Sequence, residues 1–198
     1  MTSAAPGEGK TTTAANLAAA HADQNLRTLL IDGDLRRPSV HRNFGVSNSV
    51  GLSNVLLGDV NWKAALQTVA GTPNLDILAA GAPSRRAGDL VGRGMVELLE
   101  AVIAEYDLVI VDAPPLLGFA EPLQMATAVD GVVVVARAGQ TSRKAVATVL
   151  ATLNRLRAKV VGLVLNEVHR ELSDSYTYYG YYRSYYQSKD EPKHQEAA

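Results

Sequence analysis

The sequence contains no cysteine among its 198 residues. Disulfide bonds, thiolate catalysis and cysteine-ligated metals are therefore excluded. It also lacks any apolar run of the ~18–20 residues that a membrane-spanning helix needs, and no signal peptide is visible. As written, the chain is expected to be soluble.

The sequence also has no large excess of positive or negative charge, since its formal net charge is −1. This balance gives no reason to expect general binding to nucleic acid or to an anionic membrane. The length and the 47% hydrophobic content suit one domain with a substantial core. No metal-ligand spacing occurs among the four histidines, His21, His41, His169 and His194.

A glycine-rich loop, TSAAPGEGKTT, runs directly into an alanine-rich stretch that favours a helix. Its glycines let backbone N–H groups turn towards an anion, Lys10 can reach β- and γ-phosphates, and the Thr11 hydroxyl can bind Mg²⁺. The helix that follows places its positive N-terminus beneath the phosphates. Ala4 stands where the usual pattern has glycine, and an ordinary loop before a helix is the alternative. The predicted phosphate-binding residues are Pro6, Gly7, Glu8, Gly9, Lys10, Thr11 and Thr12.

Short apolar strands alternate with helical patterns along the chain. Because the strands are continuously apolar, the order predicts an α/β fold with a mainly parallel sheet and helices on both faces. The predicted strands are Arg27–Asp32, Leu75–Ala79, Leu108–Asp112, Gly131–Ala136 and Val160–Asn166. The predicted helices are Thr12–Gln24, Val91–Glu105, Glu121–Val129 and Thr141–Arg157. We expect a catalytic domain over residues 1–173 and a mobile tail over 174–198, where apolar periodicity ends.

The strand that normally precedes a phosphate loop is truncated or missing, because only three residues, Met1 to Ser3, stand before it. Either the start has been cut off or the strand is very short. Unpaired backbone groups of neighbouring strands would each cost roughly 1–3 kcal/mol. Poor stability is therefore expected unless something fills the gap.

Three acidic residues follow predicted strands. Asp32 and Asp34 lie in LLIDGDLRRP, and Asp112 ends the strand within LVIVDAPP. Mg²⁺ is held by a few carboxylates, waters and phosphate oxygens, so Thr11 and two of these acids form a plausible ligand set. The remaining carboxylate could accept a proton from an attacking hydroxyl. The alternative is that these acids are solvated turn residues.

Three motifs, PGEGKTT, LLIDGDLRRP and LVIVDAPP, closely resemble in order and spacing the Walker A, A′ and B motifs of bacterial tyrosine kinases. That family regulates capsular and extracellular polysaccharide polymerisation and export. The resemblance covers Thr2 to Tyr186. It implies a P-loop NTPase-like three-layer α/β/α fold related to the deviant Walker ATPases, with ATP and Mg²⁺ as cofactors.

The resemblance also implies roles for single residues. Lys10 would hold the phosphates, Thr11 the Mg²⁺, and Asp32 would activate the tyrosine hydroxyl. Asp34 and Asp112 would support Mg²⁺, partly through water. Asn166 matches a position near adenine in related ATPases, although a helix or turn cap is an equal alternative. Arg36 and Arg37 resemble the basic end of Walker A′, or are solvated surface residues.

Seven of the eight tyrosines lie in one polar stretch, YTYYGYYRSYY. This spacing follows neither strand nor helix periodicity, so an autophosphorylated tail explains it better than an adhesive patch or a stacking surface for single strands. Each phosphate would add about −1.5 to −2 charges and repel the acidic site, which would release the tail from a neighbouring subunit. The predicted acceptors are Tyr176, Tyr178, Tyr179, Tyr181, Tyr182, Tyr185 and Tyr186.

Family membership further implies self-association, a fused or separate transmembrane activator, a cognate tyrosine phosphatase, and a cytoplasmic location at the inner membrane face. The family's arginine-bearing helix before the loop is missing here, which puts a ring of subunits in doubt. An ATPase switch of the partitioning or division-site type is the main alternative. Those ATPases usually carry a second lysine where Ala5 stands, and they lack a tyrosine-rich tail. A catalytically silent scaffold is the third reading.

Overall fold

The computed structural model describes residues 1–83 and 87–168. Strands and helices alternate, which confirms the predicted α/β class. The elements are β1 (Thr2–Ser3), α1 (Lys10–Ala22), β2 (Thr28–Asp32), α2 (Val40–Phe44), α3 (Leu52–Leu57), α4 (Trp62–Ala65), β3 (Gln67–Val69), β4 (Thr72–Leu78), α5 (Ala87–Val102), β5 (Leu108–Asp112), α6 (Glu121–Ala128), β6 (Val132–Arg137), α7 (Arg143–Arg155) and β7 (Val160–Asn166).

The strands form two ladders that meet at Met1. One ladder has the order β3-β4-β2-β5 and the other the order β1-β6-β7. Every pairing is parallel except that of β3 with β4, a hairpin whose first strand was not predicted. Met1 joins the ladders, because its amino group donates to Val111 O at 2.6 Å and its carbonyl accepts from Ala113 N at 2.9 Å. All the parallel strands therefore end at one edge.

Helices cover both faces of these strands, as the continuous apolar runs predicted. On one face, the small residues of α1 pack against Leu30, Ile77 and Ile110. On the other face, α3 and α5 pack against residues of the alternate set, including Leu29 and Ile31. Helix α7 covers β6 in a third cluster. Because successive side chains of a strand point to opposite faces of the sheet, helices pack on both faces and the fold has three layers.

The first strand has only two residues, so the strand before the phosphate loop is very short, one of the two expected possibilities. Beside it, a cavity of about 760 Å³ opens between β5 and β6, lined by residues that include Leu17, Ile103 and Val161. The amino group of Met1 lies at this opening, and burial lowers its pKa to about 6. Among the described helices, none is long and apolar enough to cross a membrane.

Candidate nucleotide-binding site

The phosphate loop connects β1 to α1 at the edge where the parallel strands end. Gly7 and Gly9 have φ angles of 79° and 92°, a left-handed conformation that side-chain-bearing residues rarely adopt. Helix α1 begins at Lys10, and no side chain caps its N-terminus. Its first N–H groups therefore remain directed at the loop, as an anion site requires. Ala4 is buried and packs within the β6–α7 core cluster, so the structure accommodates the departure from glycine.

Thr11 and Asp112 are in direct contact. The Thr11 hydroxyl donates to Asp112 Oδ2 at 2.6 Å, and the Ser39 hydroxyl donates to Thr11 Oγ1 at 3.2 Å. The other carboxylate oxygen, Asp112 Oδ1, is buried without a hydrogen-bond partner. Burial raises the pKa of Asp112, although the Thr11 bond and the Met1 amino group oppose the rise.

This donor set fits Mg²⁺. An unpartnered carboxylate oxygen beside a threonine hydroxyl offers the oxygen ligands that Mg²⁺ prefers. Among the residues that the structure describes, no group of three or more His, Asp or Glu could hold a metal ion. A bound Mg²⁺ would therefore complete its shell with water and phosphate oxygens, which is its usual behaviour in nucleotide sites.

Asp32 is fully buried next to Asp112, because the two are register partners on β2 and β5. Its Oδ2 accepts from Ser39 N and Val40 N, both at 3.0 Å, and its Oδ1 accepts from Asp34 N at 3.2 Å. Burial raises the pKa of Asp32 to about 7 despite these three bonds. The carboxylate thus holds together the loop that follows β2.

Asp34 and Arg36 lie on that same loop but have different partners. Asp34 Oδ1 accepts from Arg37 N at 2.9 Å, a bond within the turn. Arg36 is about half exposed, yet its Nη2 lies 2.6 Å from Oε1 of the buried Glu121. Its guanidinium also stands 4.9 Å from the centre of the Phe119 ring. The ion pair joins the Asp34 loop to the start of α6.

Asn166 contacts the phosphate loop. Its Nδ2 donates to Glu8 O at 3.2 Å, and its backbone carbonyl accepts from Ala138 N at 2.8 Å. The side chain of Glu8 turns to Ala5 N and to the Thr141 hydroxyl. Asn166 therefore contacts the phosphate loop, while its predicted role beside adenine stays a prediction.

Three contributors were not predicted from the sequence: Ser39, Glu121 and Thr141. Ser39 directly follows the LLIDGDLRRP motif, and Glu121 was placed only at the start of a predicted helix, so no sequence signal indicated their contacts. Thr141 was placed only at the start of a predicted helix. The seven predicted acceptor tyrosines lie outside the described residues. The remaining tyrosine, Tyr106, donates its hydroxyl to Asp76 Oδ2 at 2.8 Å.

Fold and site together define an α/β protein of the P-loop nucleotide-binding class. Comparison with known proteins narrows this class. A family model described as "AAA domain" matches residues 2–166. Tyrosine-protein kinase YwqD of Bacillus subtilis is 40% identical over 181 residues, which cover 91% of this chain and 76% of YwqD. The chain therefore belongs to the bacterial tyrosine-protein kinases.

Two solved structures share this fold, one of them a tyrosine kinase domain. The kinase domain of Escherichia coli tyrosine kinase ETK superposes with a TM-score of 0.81 and 35% identity, over 84% of this chain and 66% of that one. The septum site-determining protein MinD of Pyrococcus horikoshii, complexed with Mg-ADP, gives a TM-score of 0.71 and 25% identity. That match covers 83% of this chain and 68% of MinD.

Proposed function

We propose that this protein is an ATP-dependent tyrosine autokinase that transfers the γ-phosphoryl group of Mg·ATP to the tyrosines of its own C-terminal cluster. The observation that carries this proposal is that the phosphate loop and the two buried acids lie together at one edge of the sheet. A glycine loop with Lys10 stands beside Thr11 bonded to Asp112, and Asp112 is the register partner of Asp32. The family assignment supports the same reaction.

In this proposal the loop N–H groups, the start of α1 and Lys10 bind the nucleotide phosphates, and Asn166 lies on the adenine side. Thr11, Asp112 and Asp34 would hold Mg²⁺. When bound, that ion neutralises the charge that develops on the transferring phosphoryl group. Lys10 is buried, so its positive charge acts with little screening by water.

Asp32 would be the proton acceptor. The tyrosine oxygen forms a bond to the γ-phosphorus, the bond between that phosphorus and the β–γ bridging oxygen breaks, and ADP leaves with the bond electrons. The tyrosine proton passes to Asp32. A pKa of about 7 suits a base that works near neutral pH. Since Ser39 and Val40 donate to Asp32 Oδ2, their loop has to move when tyrosine enters.

The acceptors in this proposal belong to a neighbouring copy, so the protein acts on itself in trans. Phosphates gathered on the tail repel one another and the acids of the site, which releases the tail. We further propose control by a transmembrane activator, reversal by a tyrosine phosphatase, and action at the inner membrane face in polysaccharide polymerisation and export.

The test is the intact mass of the full chain after incubation with Mg·ATP. We expect a ladder of added phosphates on the parent and none on Lys10→Met, on Asp32→Asn, or on a variant with all seven tail tyrosines changed to phenylalanine. Lys144→Met, at an exposed position of α7, is the matched control and should retain the ladder. Phosphate on the seven-phenylalanine variant would contradict the tail as acceptor.

An ATPase switch is the second candidate, favoured by the likeness to MinD in fold. Such a protein would hydrolyse ATP and change its association state without modifying itself. Parent protein that hydrolyses ATP and keeps its original mass would contradict the kinase proposal and support the switch.

A further inference from the structure

A buried carboxylate stands inside the phosphate loop. Glu8 is only 4% exposed, although it lies two residues before Lys10 and the start of α1. A negative charge is unfavourable in a loop that is shaped to bind anions, because it repels the phosphates and loses hydration on burial. The position of its oxygens therefore requires an explanation.

Both oxygens of Glu8 are engaged away from the cradle. Oε2 accepts from Ala5 N at 2.9 Å, which closes the loop on itself. Oε1 accepts from the hydroxyl of Thr141, in the turn after β6. The orientation of that hydroxyl is fixed, since Thr141 Oγ1 itself accepts from Arg137 N at 2.8 Å. The Thr141 proton is thus directed at the carboxylate.

The main chain of Glu8 is held as well. Its carbonyl accepts from Asn166 Nδ2, and the Asn166 side chain packs so closely that a methyl group on Gly9 would lie 1.9 Å from Nδ2. Glu8 is therefore held by two hydrogen bonds from outside the loop, one from the turn after β6 to its side chain and one from the end of β7 to its backbone. These contacts connect the phosphate loop to two different parts of the fold, the turn after β6 and the end of β7.

We propose that Glu8 and Thr141 form a positioning pair that fixes the phosphate loop in its binding shape before nucleotide arrives. The inference rests on the proposed nucleotide binding. Neither side chain touches the transferring group in this proposal. Their contribution is preorganisation: without the pair, the loop N–H groups lose their common direction and part of the binding free energy is spent on ordering them.

The test compares Glu8→Ala, Glu8→Gln, Thr141→Val and Thr141→Ser in the full chain. We measure the Kd for Mg·ADP by calorimetry and KM and kcat for autophosphorylation. Loss of one buried hydrogen-bonding partner corresponds to about tenfold in Kd. We expect that increase in Kd and KM for Glu8→Ala and Thr141→Val, with kcat nearly unchanged. Glu8→Gln should recover part of the affinity, and Thr141→Ser nearly all of it.

The double variant tests the pair directly. If Glu8 and Thr141 act together, Glu8→Ala/Thr141→Val should lose about the same tenfold as either single variant rather than the product of the two. Thr148→Val, which removes an exposed hydroxyl on α7, is the matched control. Urea unfolding shows whether each variant is folded at the temperature of the titration.

Unchanged Kd in folded Glu8→Ala would overturn the inference, as would multiplicative losses in the double variant or a Thr141→Ser protein as weak as Thr141→Val. A parent protein that binds no Mg·ADP would contradict the proposed nucleotide binding itself. A parent that binds Mg·ADP but is never phosphorylated would leave the Kd comparison intact and contradict only the proposed kinase activity.

Discussion

The two ladders of strands contribute different groups of residues to the site. The ladder β3-β4-β2-β5 carries Asp32 and Asp112, the groups with raised pKa values. The ladder β1-β6-β7 leads from β1 into the phosphate loop and holds that loop through Thr141 and Asn166. One ladder supplies the buried acids and the other supplies and supports the phosphate loop, so mutations in them should have different signatures.

Burial differs in the same way. All five residues of β2 are buried, whereas Val161, Leu163 and Leu165 of β7 are 65%, 51% and 57% exposed. Both strands are continuously apolar in sequence. β2 has neighbours on both sides, while in the described part of the chain β7 pairs only with β6. Place in the sheet, rather than composition, determines how much of each strand is buried.

The largest effect is expected on the acid-bearing ladder. Asp112→Asn keeps an oxygen that can accept from Thr11 but removes the charge that would bind Mg²⁺. Autophosphorylation should fall about 10²–10³-fold, measured as the initial rate of phosphate incorporation at saturating ATP. Asp130→Asn, at an exposed position, is the matched control. A rate within threefold of the parent would remove Asp112 from the proposed Mg²⁺ site.

The junction of the two ladders at Met1, beside the cavity between β5 and β6, allows a second test. Adding four apolar residues, Val-Ile-Val-Val, before Met1 should continue β1 into the cavity. Since Val111 O already accepts from Met1, backbone groups alternate along β5 so that Val111 N and Val109 O face the added strand. Side-chain burial and new hydrogen bonds, less the ordering entropy, should raise the free energy of unfolding by about 3 kcal/mol.

Urea denaturation measures this gain, and four added serines provide the control. Serines can form the backbone bonds but bury almost no apolar surface, so their gain should be much smaller. Equal stability of the two extended chains would show that the cavity does not accept an apolar strand.

The positions of most strands along the chain and the short first strand could be predicted because apolar runs and a glycine loop are local signals. The predicted bounds of the strands ending at Asp32, Asp112 and Asn166 differ from the observed ones by at most one residue. The same signals placed the three motifs at one edge, because parallel strands all end there.

The supports of the site could not be predicted. Thr141 and Glu8 are 133 positions apart, and Arg36 and Glu121 are 85 apart. Such pairs depend on which side chains the finished fold brings together, and one sequence carries no signal for them. The burial of Asp32 was not predicted either, because the sequence does not show whether the loop after a strand covers an acidic side chain at the strand end or leaves it in water.

The buried acids should make stability depend on pH. Asp32 has a pKa of about 7 when folded against 3.8 as its ordinary value, so the native state binds more protons between those values. The free energy of unfolding should therefore fall as pH rises from 4 to 7, by at most about 1.4 kcal/mol per pH unit for one proton. The raised pKa of Asp112 acts in the same direction.

Met1 acts in the opposite direction. Its amino group has a pKa of about 6 when folded and 8.0 ordinarily, so the native state binds fewer protons between pH 6 and 8 and stability rises there. Urea midpoints should therefore fall from pH 4.5 to between pH 6 and 7 and then rise towards pH 8. Asp32→Asn should flatten the acidic part of the curve. An unchanged slope in Asp32→Asn would show that this carboxyl titrates normally in the folded protein.

The smallest effect is expected on the exposed face of β7. Leu163→Ala removes a side chain that is already half in water, so the free energy of unfolding should change by about 0.5 kcal/mol or less. Leu30→Ala, the same change in the fully buried β2, should cost about 3–5 kcal/mol because it leaves a cavity against α1. Urea unfolding of both variants measures the difference. A loss above 2 kcal/mol at Leu163 would mean that this face is covered in solution, and the contrast between the two strands would then disappear.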